Sequence, residues 1–316
     1  MSKIKLFLNI LVFDNLKKRK VLVVKNINQG VLYMLISAVC LSLVSAFAKI
    51  LATHLPTIEI VFFRNVIGVF ILFVSFYKTP IKQKGGKPFL LFFRAAIGLT
   101  AMLSFFYNIA NISLADAVTY SRMSPIFTAI FALWFLKEQI GAKGWIAIAL
   151  GFTGMLFVMQ PDGLLLEDSH IFGLLNAVCA ALAFTSIREL KKYYDTRVIV
   201  LSFMGLGTIV PIVSMYYSQY YESDIFYFMM GEYVMPNPED WIYIIGIGIT
   251  ALLGQIYMTK AYGATKAGII GATGYSVILF SLIIGVILGD DLPNLLGFIG
   301  ISAIVCGGIL IAKEKK

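Results

Sequence analysis

Charge is scarce in this sequence. Asp, Glu, Lys and Arg make up 14% of its 316 residues, against about 25% in ordinary soluble domains. Histidine is nearly absent: the chain has two, His54 and His170, both expected at outer loop positions. The three cysteines, Cys40, Cys179 and Cys306, each fall singly inside an apolar run. They form neither a CxxC pair nor a Cys/His cluster, which removes zinc and disulfide frameworks and leaves small buried thiols. HExxH, GxSxG and Walker A patterns are missing, so an intramembrane enzyme would lack its catalytic groups. Neither a metal nor a cofactor is expected. A cleavable secretory signal is not evident: residues 6–13 are too short to span and are followed by a basic stretch. Residues 1–28 read as a cytoplasmic N-terminal segment.

What is abundant is apolar sequence, 59% of the chain, in runs of about 20 residues. That is the length needed to cross a hydrocarbon core of about 30 Å at 1.5 Å per residue. β-barrel strands would alternate over about 10 residues, and none do. Ten spans are read at about 29–52, 58–77, 89–110, 115–136, 142–160, 170–188, 198–218, 241–262, 267–288 and 293–312. With the N-terminus inside, all but four of the 26 basic residues fall on cytoplasmic segments, as the positive-inside rule requires. The outer loops hold acids such as Asp162, Glu167, Asp224, Glu239, Asp290 and Asp291. The net charge of +9 therefore reports orientation; it is not the clustered basic surface that nucleic acid needs.

The chain matches itself at an offset of 150 residues. Ile97, Gly98, Thr100, Ala101, Leu103, Tyr107 and Ala117 recur as Ile247, Gly248, Thr250, Ala251, Leu253, Tyr257 and Ala267. The third and fourth helices thus correspond to the eighth and ninth. A repeat of five spans is odd, so the second copy enters the membrane from the opposite face. The fold class is an all-α membrane protein of ten helices in two inverted five-helix repeats, N-in and C-in, with repeats at 29–160 and 170–312. Inverted repeats are the architecture of alternating-access carriers, whose cargo sits near the midplane where the halves meet.

Several stretches resemble the drug/metabolite transporter superfamily, in its ten-helix EamA-type branch. They are Glu59-Ile60-Val61-Phe62-Phe63-Arg64, then Phe105-Phe106-Tyr107-Asn108-Ile109-Ala110 through Ser113-Leu114-Ala115-Asp116-Ala117. Ser124-Pro125-Ile126-Phe127-Thr128-Ala129-Ile130-Phe131-Ala132 running into Phe135-Leu136-Lys137-Glu138 follows, with Gly151 and Gly154 in the fifth helix. The second half departs from the pattern: Val277 stands where the first half has Pro125, and Asp290 replaces the glutamate. The resemblance implies a central cavity framed by helices one to four and six to nine, with the fifth and tenth outside. It implies transport of a metabolite, in a branch whose cargoes span amino acids, nucleotide-like metabolites, vitamins and drugs. The expected function is secondary transport of a small organic metabolite across a bacterial inner membrane, with a multidrug exporter of the same fold as the alternative. A channel, a scaffold and an enzyme are the rivals from other classes. The expected partners are a small-molecule substrate and the lipid bilayer, for a monomer or homodimer.

Charges at bilayer depth are costly and normally face a cavity or a partner. Arg64 and Arg122 lie about 10 Å inside their spans and are candidates for substrate binding or gating. The alternative is a structural ion pair with Glu59 or Asp116, which are also candidates for coupling. Lys49 either joins the cavity or reaches the outer interface. Arg94, near the inner end of the third helix, reads as an anchor to cytoplasmic headgroups. Tyr107, Asn108, Tyr120, Ser124, Tyr257, Gln255 and Tyr275 complete the candidate substrate-binding set, since pockets are mostly apolar and aromatic with a few placed polar groups. Two or three cations against two carboxylates favour an anionic or zwitterionic cargo.

Overall fold

A computed structural model describes residues 28–81, 83–111, 114–160, 168–218, 220, 232–289 and 293–312. Of residues 106, 109–111, 114–116, 168–170, 311 and 312 it describes the backbone alone. Every regular element among these residues is helical. The first half comprises α1 (Gln29–Leu51), α2 (Thr57–Lys78), α3 (Pro88–Asn111), α4 (Leu114–Ser121), α5 (Ser124–Leu136) and α6 (Ala142–Met159). The second half comprises α7 (Asp168–Leu190), α8 (Thr196–Tyr217), α9 (Asp240–Ala264), α10 (Ala267–Thr273), α11 (Ser276–Ile287) and α12 (Leu295–Ala312).

Local chemistry sets the helix ends. Asn28 caps α1, accepting from the Gly30 N–H at 3.1 Å, and Asp195 caps α8, accepting from the Arg197 N–H at 2.8 Å. Each satisfies a donor that has no partner within its own helix. Pro88 opens α3, where its missing N–H costs nothing. Between helices, Gly85 and Gly86 turn the chain at φ 68° and 104°, a backbone conformation that side chains disfavour.

The fourth and ninth spans correct the sequence reading, which took each as one continuous helix. Both are interrupted near the middle, at equivalent places. Pro125 carries no N–H for the Ser121 carbonyl. The ladder there tightens to three-residue bonds, Met123 N–H to Tyr120 O and Ile126 N–H to Met123 O, each 3.0 Å. The ninth span has Val277 at that position and breaks by another route. Gly274 sits where a Cβ would meet the Gly271 carbonyl oxygen at 2.8 Å and Met34 at 3.3 Å, and its N–H bonds Gly271 O at 2.9 Å. Its N–H also bonds Ile270 O at 3.0 Å, and the missing side chain leaves room for Met34 of α1.

The halves interlock by exchange: α1 lies along α9 as α3 lies along α7, while α2 crosses α8 and α6 packs on α12. The symmetry reaches single side chains. Asn65 of α2 donates to the Gly207 carbonyl of α8 at 3.1 Å, and a Cβ on Gly207 would lie 2.8 Å from its amide nitrogen. The repeat-related contact sets Gly68 against Met204, at an offset of 139 in both residues. A buried cluster of Met34, Ile187, Leu190, Met258, Tyr262 and Ile270 joins both halves on the cytoplasmic side. It closes the inner end of the seam.

Candidate functional site

Arg94 lies about 9 Å above the inner end of α3 by helical rise. It does not anchor to headgroups, contrary to the sequence reading, because its side chain turns inward and is 2% exposed. Its guanidinium carbon stands 4.5 Å over the ring centre of Phe203 in α8. Its Nη2 donates to Gln255 Oε1 of α9 at 3.5 Å. Gly98, one turn further along, makes the room: a Cβ there would sit 3.2 Å from the Phe203 ring and 3.6 Å from Arg94 Nη1. Nε and Nη1 of Arg94 are buried without a hydrogen-bond partner. The contact joins one half of the molecule to the other.

Two turns beyond Arg94 on the same face of α3 lies Met102, whose sulfur accepts from Arg64 Nη1 at 3.6 Å. Arg64 Nε has no partner. Positions 94, 98 and 102 follow the spacing that keeps residues on one helix face. Arg94 and the sulfur contact of Arg64 are therefore stacked along α3, roughly 12 Å apart by rise.

Arg122 occupies the break between α4 and α5, its N–H still bonded to Val118 O at 2.9 Å. It lies within electrostatic reach of Tyr275, the residue that precedes α11 at the equivalent break. Arg122 Nε, Tyr275 Oη and Ser276 Oγ are all buried without a partner. The Tyr275 ring is 1% exposed and fills the space beside Gly151 of α6. Ser124 opens α5 at the break and is buried.

Among the described residues, no carboxylate pairs with Arg64, Arg94 or Arg122. Glu59, fully buried in the first turn of α2, has one oxygen accepting from the Val234 N–H at 3.0 Å. Its other oxygen is unpartnered. The Asp116 side chain lies outside the described residues. An arginine at the centre of a membrane helix costs about 2.5–3.5 kcal/mol on insertion scales. Three together approach the whole stability of a domain, about 5–15 kcal/mol. Such cations persist where water or an anion reaches them.

The remaining candidates separate into two aromatic clusters. Tyr107 packs on Phe172 with ring centroids 4.1 Å apart. Asn108 and Tyr120, both buried, press against Gly173 on the same helix, α7. Tyr257, the repeat partner of Tyr107, packs on Tyr33 of α1 at 6.0 Å, with Lys260 5.6 Å from its ring centre. Phe172 and Tyr33 are themselves repeat-related by the offset of 139. One pair lies toward the outer face and its image toward the cytoplasm. Lys49 sits in the last turn of α1. The structure therefore gathers Arg64, Gln255 and the unforeseen Arg94 and Phe203 around α3, and holds Tyr107, Asn108 and Tyr120 against α7. Gly98 on the same face as Arg94 was the sequence signal for the inward turn.

Below these groups, polar contacts tie the two halves at the cytoplasmic surface. Glu138 pairs with Arg188 Nε at 2.9 Å and accepts from the Ala267 N–H at 2.8 Å, capping α10. Arg188 also donates to Gly263 O at 2.8 Å. Lys87 reaches Glu189 at 2.9 Å, and Lys266 donates to Gln139 O at 2.8 Å. The outer end is tied as well, by a buried cluster of Leu51, Leu55, Ile60, Phe63, Ile244 and Ile247 and by the Glu59 contact to Val234.

Comparison with known proteins places this geometry. The profile of the EamA-like transporter family matches residues 28–160 and, a second time, residues 169–313. A Helicobacter pylori protein described as an uncharacterized transporter is 34% identical over 289 residues, covering 90% of this chain and 94% of its own. The pseudopaline exporter CntI of Pseudomonas aeruginosa is 30% identical over 293 residues, covering 92% and 98%. One protein of known crystal structure shares the fold with a TM-score of 0.68 at 15% identity, covering 90% of this chain and 95% of that one.

Proposed function

Because the chain belongs to the EamA-like transporter family, we propose that it carries a small organic metabolite with an anionic group, anionic or zwitterionic overall, across a bacterial inner membrane by alternating access. That the chain is an integral, multi-pass transporter and not an enzyme follows from its family and relatives. The anionic character of the cargo is supported by one observation above the rest: Arg94 is buried, Arg64 and Arg122 are half-buried with Nε inaccessible and unpartnered, and no described carboxylate neutralises the three. Seam cations of this kind concentrate an anion and repel a cation within a low-dielectric wall. Alternation requires the cytoplasmic contacts between the halves to part.

The test is counterflow in proteoliposomes. Vesicles loaded with a candidate cargo should accumulate the labelled compound transiently, with saturation, and addition of anionic metabolites should compete. Flux that rises linearly with concentration would mark a channel. Competition by cationic compounds alone would remove the anionic cargo.

A further inference from the structure

We infer that Arg94, Gln255 and Phe203 form a carboxylate subsite, the innermost station for cargo at the seam; the inference rests on the transport reading above. All three residues are nearly inaccessible, at 2%, 6% and 6% exposure, and they come from α3, α9 and α8, so the site exists only where the halves meet. A structural arginine at this depth would hold a carboxylate. This one has instead a long contact to a neutral amide oxygen at 3.5 Å and an aromatic face at 4.5 Å. Neither cancels its charge, and Nε and Nη1 remain without acceptors.

The chemistry of the three groups selects the ligand. Phe203 covers one face of the guanidinium, which leaves its edge for a planar acceptor, and arginine matches a carboxylate in that plane. Gln255 spends its oxygen on Arg94, so its amide N–H groups are left as donors to the same anion. One cation balances one carboxylate; a phosphate dianion would leave a net charge buried in the seam, which is costly. The next cation, Arg64 of α2, contacts Met102 about two turns outward along α3, roughly 12 Å from Arg94 by rise. The second cation therefore stands at a level outward of the subsite.

The test measures the unfolding temperature of the full-length detergent-solubilised protein with acetate, pyruvate and benzoate, each beside its neutral carboxamide. At least one carboxylate should stabilise the parent protein by several degrees while its amide does not, since a ligand of the folded state raises stability by mass action. Arg94→Gln should weaken that effect at least tenfold in concentration. Gln255→Glu guards against a misfolded variant. It places a carboxylate beside Arg94, so the ligand-free protein should melt higher and the added carboxylates should lose their effect. Equal stabilisation by acid and amide, or carboxylate stabilisation unchanged in both variants, would overturn the subsite. If the stabilising carboxylate binds through Arg94 but shows no saturable counterflow, the subsite stands and the transport reading falls.

Discussion

Glu138 holds Arg188 across the seam at 2.9 Å and caps α10 with its second oxygen, at 2.8 Å from the Ala267 nitrogen. A single carboxylate therefore joins the end of the fourth span to both the sixth and the ninth. Its side chain is 12% exposed and that of Arg188 28%, so screening is incomplete. Hydrogen bonds to charged groups contribute about 1.5–3 kcal/mol. Glu138→Ala removes both links and should loosen the cytoplasmic closure, whereas Glu138→Gln keeps an acceptor for Ala267 and should fall between. The readout is Ile270→Cys, at a fully buried position of α10, in a background without Cys40, Cys179 and Cys306. Maleimide added from the cytoplasmic side should label it several-fold faster in Glu138→Ala. A labelling rate equal to that of the parent would remove this carboxylate as a latch.

The contact between α6 and α12 rests on backbone approach, since a Cβ on Gly154 would lie 2.5 Å from the Gly300 carbonyl oxygen. Small residues let membrane helices pack closely where no hydrophobic force drives them together. Gly154→Leu should cost about 1–3 kcal/mol by overpacking, read as a lower unfolding temperature. Gly308, on α12, would have no atom within 4 Å of a new Cβ. Gly308→Leu should therefore leave that temperature unchanged. Equal effects of the two would mean that α6 and α12 do not meet through Gly154.

The ten spans and their inversion were legible because each rests on a signal repeated along the chain: apolar length, basic residues at alternate gaps, and matches at an offset of 150. Single side chains were harder. Pro125 announces the break in the fourth span, but the ninth breaks at Gly274, where Met34 of another helix approaches, and nothing near Val277 in sequence says so. Arg94 was misread for the same reason. Its depth fits snorkelling, but its direction is set by Gly98, Phe203 and Gln255, the last two on other helices. Glu138 was visible as part of a motif, while its partner Arg188 lies 50 residues away.

Tyr107 on Phe172 and Tyr257 on Tyr33 are images of each other under the inverted repeat, at centroid distances of 4.1 Å and 6.0 Å. Aromatic pairs add about 0.5–1.5 kcal/mol beyond their buried area. In a double-mutant cycle, Tyr107→Ala and Phe172→Ala should couple by about that amount, measured by denaturation in detergent. The wider Tyr33/Tyr257 pair should couple less. Strict additivity at the outer pair would mean that the two rings do not support one another.

Asp195 gives the cytoplasmic end a pH dependence of definite sign. Burial pushes its carboxyl up. The Arg197 side chain and N–H, hydrogen-bonded to it at 3.2 and 2.8 Å, outweigh that and hold it below the usual carboxylate range, with Lys191 adding to the pull. A carboxyl depressed in the folded state stabilises it above the unfolded value, about pH 3.9. That stabilisation is lost as pH falls through the lower folded value. Asp195→Asn keeps a cap for α8 but removes the charge. The variant should melt a few degrees below the parent at pH 7, and the two curves should converge as pH drops below about 4. A gap that persists unchanged into acid would assign the difference to packing around the side chain, leaving the carboxylate's charge without a part in holding α8 in place.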